Sequence, residues 1–353
     1  LLTPSLGVDM TVMITASHNP YYDNGIKLIA ASGDKFGDDV TARLEAAVVD
    51  GEFSFDKEKL GRVSEDKTAA ERYKEIALGM GGKELPLQGL KVVLDCANGC
   101  FSEIMPEVFA KLGADVTALS CMPDGTNINR DCGSQHIDAM TAKVRDCGAM
   151  LGIAADGDGD RIIICDEKGN RVDGDQIIAF LGKYYKEHNR LKADTVVAAK
   201  MSNPALDRFL EGIGVKCVRS AVGERYVIEE MKKCGSNIGG EESGHMVVAD
   251  YAKTGDTMMA ALVIAMGLLQ SGKKMSEIFP LFTPMTRKRI DSKFCGKDEM
   301  LAAFELAAFQ AEIKQGEADI AGKGRILVRK SGTEPKIQVW VWGDDVPLAT
   351  AGG

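Results

Sequence analysis

Short apolar runs alternate with amphipathic stretches along most of the chain. Residues 10–15 and 25–29 read as two strands, and the charged, helically spaced positions of 40–49 and 69–78 as two helices with solvated faces. From Gly89 a β-α-β unit is predicted: a strand over 90–95, a helix over 101–112 and a second strand over 114–119, hence a parallel sheet. A helix over 137–147 leads into two apolar runs, 149–153 and 162–165, that read as buried strands. A helix over 176–185 follows. The element order then repeats, with strands over 195–199 and 215–218 and helices over 204–213 and 224–232, so a second α/β unit is expected. Residues 258–269 are apolar all round and predict a core helix rather than a cofactor box. The last stretch changes style, with an amphipathic helix over 300–314 and strands over 324–329 and 336–341.

Polar loops interrupt this pattern where strands end, which is where ligand chemistry gathers in open α/β sheets. The most pronounced is Asp156-Gly157-Asp158-Gly159-Asp160-Arg161, between the two buried strands. Three carboxylates two residues apart, relaxed by intervening glycines, suit a hard divalent cation such as Mg²⁺. An EF-hand and a plain solvated acidic turn are the competing readings; the sixth position of an EF-hand requires glycine and holds Arg161 here, and the flanks are strand-like. Ser17, in Ala16-Ser17-His18-Asn19-Pro20, is a candidate nucleophile or phosphate carrier, with His18 beside it and Lys27 on the next strand; a turn-capping serine is the plainer alternative. Gly240-Glu241-Glu242-Ser243-Gly244-His245 offers carboxylates and a hydroxyl to a polyol, or is simply a glycine-rich turn. Arg329-Lys330-Ser331-Gly332-Thr333 combines a guanidinium, hydroxyls and consecutive backbone N–H groups suited to a phosphate dianion.

Composition narrows the classes. The 353 residues are 45% hydrophobic and 27% charged, enough for several domains of an ordinary globular protein. A net charge of −9 argues against a general nucleic-acid binder, and no apolar run approaches the roughly 18 residues that span a bilayer. Nine scattered cysteines without a C-x-x-C pair read as buried thiols in a reducing compartment, so a cytoplasmic location is expected. The turn at Ala97-Asn98-Gly99 lacks the G-x-G-x-x-G dinucleotide fingerprint.

The four loops Thr15–Pro20, Asp156–Arg161, Gly240–His245 and Arg329–Pro335, in that order, closely resemble the α-D-phosphohexomutase family. Asp23–Lys27, Asn127-Ile128-Asn129 with Cys132-Gly133-Ser134, and Ala221-Val222-Gly223 with Arg225-Tyr226 are similar to its bacterial phosphoglucosamine mutase branch. The resemblance implies three mixed α/β domains plus a smaller C-terminal α+β domain around a central cleft, here 1–85, 86–188, 189–285 and 286–353, the first incomplete. It implies Ser17 as the phosphoserine, with Mg²⁺ held by its phosphate and by Asp156, Asp158 and Asp160. Glu241, Ser243 and His245 would meet the sugar, and Arg329, Ser331, Gly332 and Thr333 the distal phosphate. Arg161 and Lys27 would meet charge on the moving group, and Lys27, His18 and His245 are the candidate general bases. A hexosamine phosphate is the implied substrate, a sugar 1,6-bisphosphate the activator and intermediate, and a monomer or homodimer the implied state. A phosphomannomutase or phosphoglucomutase, and a truncated non-catalytic sugar-phosphate-binding protein, are the alternatives. Gln338 stands where the branch often carries arginine.

Overall fold

In the computed structural model, which describes residues 1–51, 56–80, 86–331 and 334–344, strands β1 (Met10–Thr15) and β2 (Gly25–Ala30) form an antiparallel hairpin. Met13 pairs with Lys27 and Thr15 with Gly25, so the serine loop between the strands and the Lys27 side chain share one end of the hairpin.

The second unit is a five-stranded sheet in the order β4-β3-β5-β6-β7. Strand β3 (Lys91–Asp95) runs parallel to β4 (Asp115–Leu119) and to β5 (Leu151–Ala155), as the β-α-β reading expects. Strand β6 (Ile162–Asp166) then turns back antiparallel to β5, and the short β7 (Arg171–Val172) pairs with it. Every residue of β5 and β6 is buried, which explains their unbroken apolar sequence.

The third unit repeats this plan. Strand β8 (Thr195–Ala199) is parallel to β9 (Lys216–Ser220) and to β10 (Ile238–Gly240), and β11 (Met246–Val248) returns antiparallel to β10. In both sheets a parallel core ends in an antiparallel hairpin, and the hairpin connection is a candidate loop: 156–161 in one, 241–245 in the other. The helix Gly174–Glu187 packs against β8 and β10, which groups it with the third sheet rather than the second.

The fourth unit is a three-stranded antiparallel sheet, β12 (Thr286–Lys293) and β13 (Gly324–Lys330) flanking β14 (Lys336–Gly343). Strand β12 has no apolar signature, since all but Ile290 are exposed. It is an edge strand held by its pairing with β14 and by Arg287 and Arg289 over the Trp340 ring, both 5.1 Å from the centroid. The single helix expected over 300–314 is two, Lys297–Glu305 and Ala307–Asp319, broken where Leu306 turns extended at φ −60°, ψ 127°. Leucine is a good helix former, so no residue type marks that break. The helix expected from 101 begins at Ile104, because residues 99–103 bend so that the Cys100 N–H donates to the Gly157 carbonyl at 2.9 Å.

The apolar helix Thr257–Ser271 is the core element the pattern predicts. Met258 to Ala265 are each no more than 1% exposed, packed against β5 and β6 on one side and β11 and the helix Gly174–Glu187 on the other. Second and third units thus share one hydrophobic core, which holds their two loop-bearing hairpins in fixed relation. Among the described residues, no helix is long and apolar enough to cross a membrane.

Candidate active site

Asp156 organises its own loop: its Oδ1 accepts the N–H groups of Asp160 and Arg161, both at 3.1 Å. The Thr257 N–H and hydroxyl, at the start of the core helix, bind the carbonyls of Gly159 and Arg161 at 2.9 and 2.7 Å. One oxygen from each of Asp156, Asp158 and Asp160 lies within 4.8 Å of the others. Two of the carboxylate oxygens, Asp156 Oδ2 and Asp158 Oδ1, are buried without a hydrogen-bond donor. Burial, then repulsion from Asp160 and Asp158, pushes the Asp156 carboxyl up to about 7. Hard oxygen donors crowded together and short of donors are what a divalent cation satisfies, so these residues fit a metal.

Around them stand Lys27, His245, His18 and Arg161, the last with its Nε 4.0 Å from Asp156. Lys27 Nζ reaches Asp158 at 2.6 Å and Asp160 at 2.9 Å. Despite burial, both carboxylates hold it firmly protonated. His245 Nε2 lies 3.1 Å from Asp160 and 3.2 Å from Arg161 Nε, and its Nδ1 lies 2.9 Å from Glu241. Burial opposes charge on this ring, yet Asp160 and Glu241 raise it to about 9. His18 goes the other way: burial and then the Arg161 charge hold it below the ordinary histidine range, leaving it neutral at pH 7.

The serine loop docks directly on the aspartate loop. Thr15 Oγ1 donates to Asp158 at 3.1 Å while accepting the Ser17 N–H at 2.8 Å. Ser17 Oγ lies 3.5 Å from His18 Nδ1. The approach is close enough that a Cβ on Gly157 would sit 2.6 Å from the Ser17 carbonyl oxygen. The third loop joins through a backbone bridge between Arg161 and His245, with the Ile162 N–H donating to Gly244 at 3.0 Å. Gly244 has φ 102°, and a Cβ there would lie 2.5 Å from the Ile162 carbonyl oxygen, so only glycine fits. Glu241 is buried, accepting the Gly223 N–H at 2.9 Å, whereas Ser243 is exposed with its hydroxyl 3.4 Å from His245 Nδ1.

Ser17, His18, Lys27, Asp156, Asp158, Asp160, Arg161, Glu241, Ser243 and His245 are therefore brought together. In the fourth unit Arg329 Nε donates to buried Gln338 at 2.7 Å, and the Ser331 hydroxyl accepts the Glu334 N–H at 3.3 Å. No described hydrogen bond or ion pair of Arg329 or Ser331 reaches the other loops; Gly332 and Thr333 lie outside the described residues. The fourth unit meets the third loop instead through Arg287, whose guanidinium donates to both Glu242 oxygens at 2.8 and 2.7 Å. Sequence reasoning did not single out Thr15, Asn129, or the Glu242–Arg287 pair. Thr15 and Asn129 lie inside quoted motifs, but nothing in a linear sequence shows which polar residues of a motif face another domain.

A pH dependence follows for the protein without divalent metal. Asp156, raised in the fold, binds its proton more tightly folded than unfolded, so stability declines from the ordinary carboxylate range up to about pH 7. His245, also raised, contributes stability that is complete below about pH 6.5 and is lost as pH rises through about 9. Asp160 and Glu241 are lowered, so their contributions disappear only under more acid conditions. The melting temperature of metal-free protein is expected to fall steadily between about pH 5 and about pH 9 in calorimetry, with His245→Gln flattening the upper half; a flat wild-type profile would contradict the network's protonation.

Family models described as phosphoglucomutase/phosphomannomutase alpha/beta/alpha domains I, II and III match residues 1–54, 72–169 and 173–285, and the corresponding C-terminal domain matches 291–351. A phosphoglucosamine mutase of Paramagnetospirillum magneticum is 45% identical, over 99% of this chain and 78% of its own length. That of Jannaschia sp. is 43% identical, over 99% and 78%. Among solved structures, a phosphoglucomutase/phosphomannomutase family protein of Burkholderia thailandensis superposes with TM-score 0.79 at 20% identity, covering 98% of this chain and 74% of that one. N-acetylphosphoglucosamine mutase of Aspergillus fumigatus, in complex with GlcNAc-6P and magnesium, gives 0.73 at 18% identity over 99% and 88%. With all four domain models matched in order and relatives above 40% identity across nearly its whole length, the chain belongs to the phosphoglucomutase/phosphomannomutase family of intramolecular phosphotransferases.

Proposed function

We propose that the chain interconverts glucosamine 6-phosphate and glucosamine 1-phosphate by way of phosphoserine at Ser17 and a sugar 1,6-bisphosphate. The observation that supports the chemistry is the docking of the Ser17 loop on the aspartate loop through Thr15 and Gly157, which brings the two loops together at three carboxylates suited to Mg²⁺. The choice of amino sugar follows the phosphoglucosamine mutase relatives.

Phosphoryl transfer asks the protein for in-line placement and for positive charge around the equatorial oxygens. Asp156, Asp158 and Asp160 would hold the ion, which when bound neutralises charge on the transferring group. Lys27 and Arg161 supply fixed cations beside the same carboxylates. His18 is the neutral ring next to Ser17 Oγ and so the group able to take a proton, whereas Lys27 and His245 are already protonated. His245 orients Glu241, and Glu241 with Ser243 would bind sugar hydroxyls. Arg329, oriented by Gln338, would hold the non-reacting phosphate together with Ser331, Gly332 and Thr333. One phosphoserine serving both carbon 6 and carbon 1 requires the bisphosphate to turn around, so this clamp must accept either end. Nine free thiols suit a reducing compartment, and we place the enzyme in the cytoplasm.

The test is ³¹P NMR of Mg²⁺-loaded protein with glucosamine 6-phosphate and catalytic hexose 1,6-bisphosphate, with glucose and mannose 6-phosphates in parallel. Fastest growth of a 1-phosphate resonance from the amino sugar is expected. Faster turnover of glucose or mannose phosphate would move the specificity to the neutral hexoses, and no 1-phosphate from any of the three would defeat the mutase reading.

A further inference from the structure

We infer that Asn129 is the positioning residue of the Ser17 loop, a role that rests on the reading of Ser17 as phosphoryl carrier. Ser17 has φ 52°, a left-handed backbone that is unfavourable for a residue with a Cβ and persists only where its surroundings enforce it. Within its own loop, the Asn19 N–H closes a turn on the Ala16 carbonyl at 2.9 Å. Thr15 Oγ1 also accepts the Ser17 N–H at 2.8 Å, and the restraint from outside the loop comes from the second unit. The Asn129 carboxamide donates to the Ser17 carbonyl and to the Asn19 carbonyl, both at 2.8 Å. Both partners are acceptors only, so the NH₂ end of the amide must face them, and both its hydrogens are used.

Asn129 is itself well fixed. It is 9% exposed, and its N–H donates to the Ala97 carbonyl at 2.9 Å. Gly157 closes the other side, where an added Cβ would lie 2.6 Å from the Ser17 oxygen and 2.9 Å from Asn129 Nδ2. The Ser17 peptide is thereby gripped between a side-chain amide and the backbone of the aspartate loop. This grip sets the register of the hydroxyl against the carboxylates, and in-line transfer is sensitive to that register: a misplacement of about 1 Å can lower a rate about 10²-fold.

The backbone of Asn129 makes a clean test possible. Its φ of 57° suits glycine, so Asn129→Gly removes the carboxamide without adding backbone strain at that position. Asn129→Asp keeps the shape but turns carboxylate oxygens toward two carbonyls. Both variants are compared with wild type by steady-state kinetics, by hydrogen exchange of residues 15–19, by melting temperature, and by intact mass after charging with hexose 1,6-bisphosphate. We expect kcat to fall about 10- to 100-fold with KM changed less than about twofold, exchange in the loop to rise, and the melting temperature of Asn129→Gly to hold. Wild-type kcat in Asn129→Gly, or a loss matched by a lowered melting temperature and a proportionate rise in KM, would overturn the positioning role. Failure of the wild type itself to gain phosphate on Ser17 would instead overturn the reading beneath it, and the mass spectrum separates the two.

Discussion

Ser17→Ala is expected to lower mutase turnover by about four orders of magnitude or more while leaving the melting temperature close to wild type. The size follows from the role. A covalent carrier cannot be partly replaced, because the route through the enzyme phosphate divides one hard displacement into two easier ones and no neighbouring hydroxyl stands in the same place. Thr15 is near, but its hydroxyl is engaged between the Ser17 N–H and Asp158. Structural tolerance follows from geometry: among the described residues Ser17 Oγ has one long hydrogen-bonding partner, His18 at 3.5 Å, while the grip on the loop is through the Ser17 backbone. Coupled kinetics and intact mass check the result. Substantial residual turnover, or phosphate uptake elsewhere in the variant, would remove Ser17 from the mechanism.

The second large effect is expected at Asp158. Asp158→Asn should lower kcat about 10³-fold and abolish the rise in melting temperature expected of wild type on titration with Mg²⁺, since ligand binding to the folded state stabilises it by mass action. The same change has an opposite effect without metal. Asp158 is one of the two carboxylates that push Asp156 upward, so its neutralisation relieves like-charge repulsion and lets Asp156 ionise more easily. Lys27 keeps Asp160 as a partner at 2.9 Å, which limits the loss from the broken pair. Metal-free Asp158→Asn is thus expected to melt no lower than metal-free wild type near pH 7, while falling behind it when Mg²⁺ is present. Thermal shift with and without the ion reads both halves. Wild-type activity and an unchanged Mg²⁺ response in the variant would place the metal elsewhere.

Much of this was legible from the chain alone, where local chemistry decides the outcome. Burial on both faces forces the apolar runs of β5 and β6, and an all-round apolar helix can only be core, so both were readable. Three carboxylates spaced by glycines nominate an acidic cluster for the same reason, since its residues are adjacent in sequence, and the fold gathers one oxygen of each within 4.8 Å of the others. The edge strand β12 was not readable, because its stability comes from pairing with β14 and from arginines over Trp340 rather than from its own polarity pattern. Nor was the helix break at Leu306.

At the site, residue types alone nominated Lys27, His18 and His245 as possible bases without separating them. Tertiary placement separates them by charge: two carboxylates hold Lys27 protonated, Asp160 and Glu241 do the same for His245, and burial beside Arg161 keeps His18 neutral. Sequence by itself determined which groups the protein has to work with and the order of its four loops. Only the tertiary structure decided which of those groups touch, through Thr15 on Asp158, Asn129 on the Ser17 loop and Arg161 bridged to His245, because hydrogen bonds and proton affinities depend on distances between residues more than a hundred positions apart, or nearly so, that no local pattern encodes.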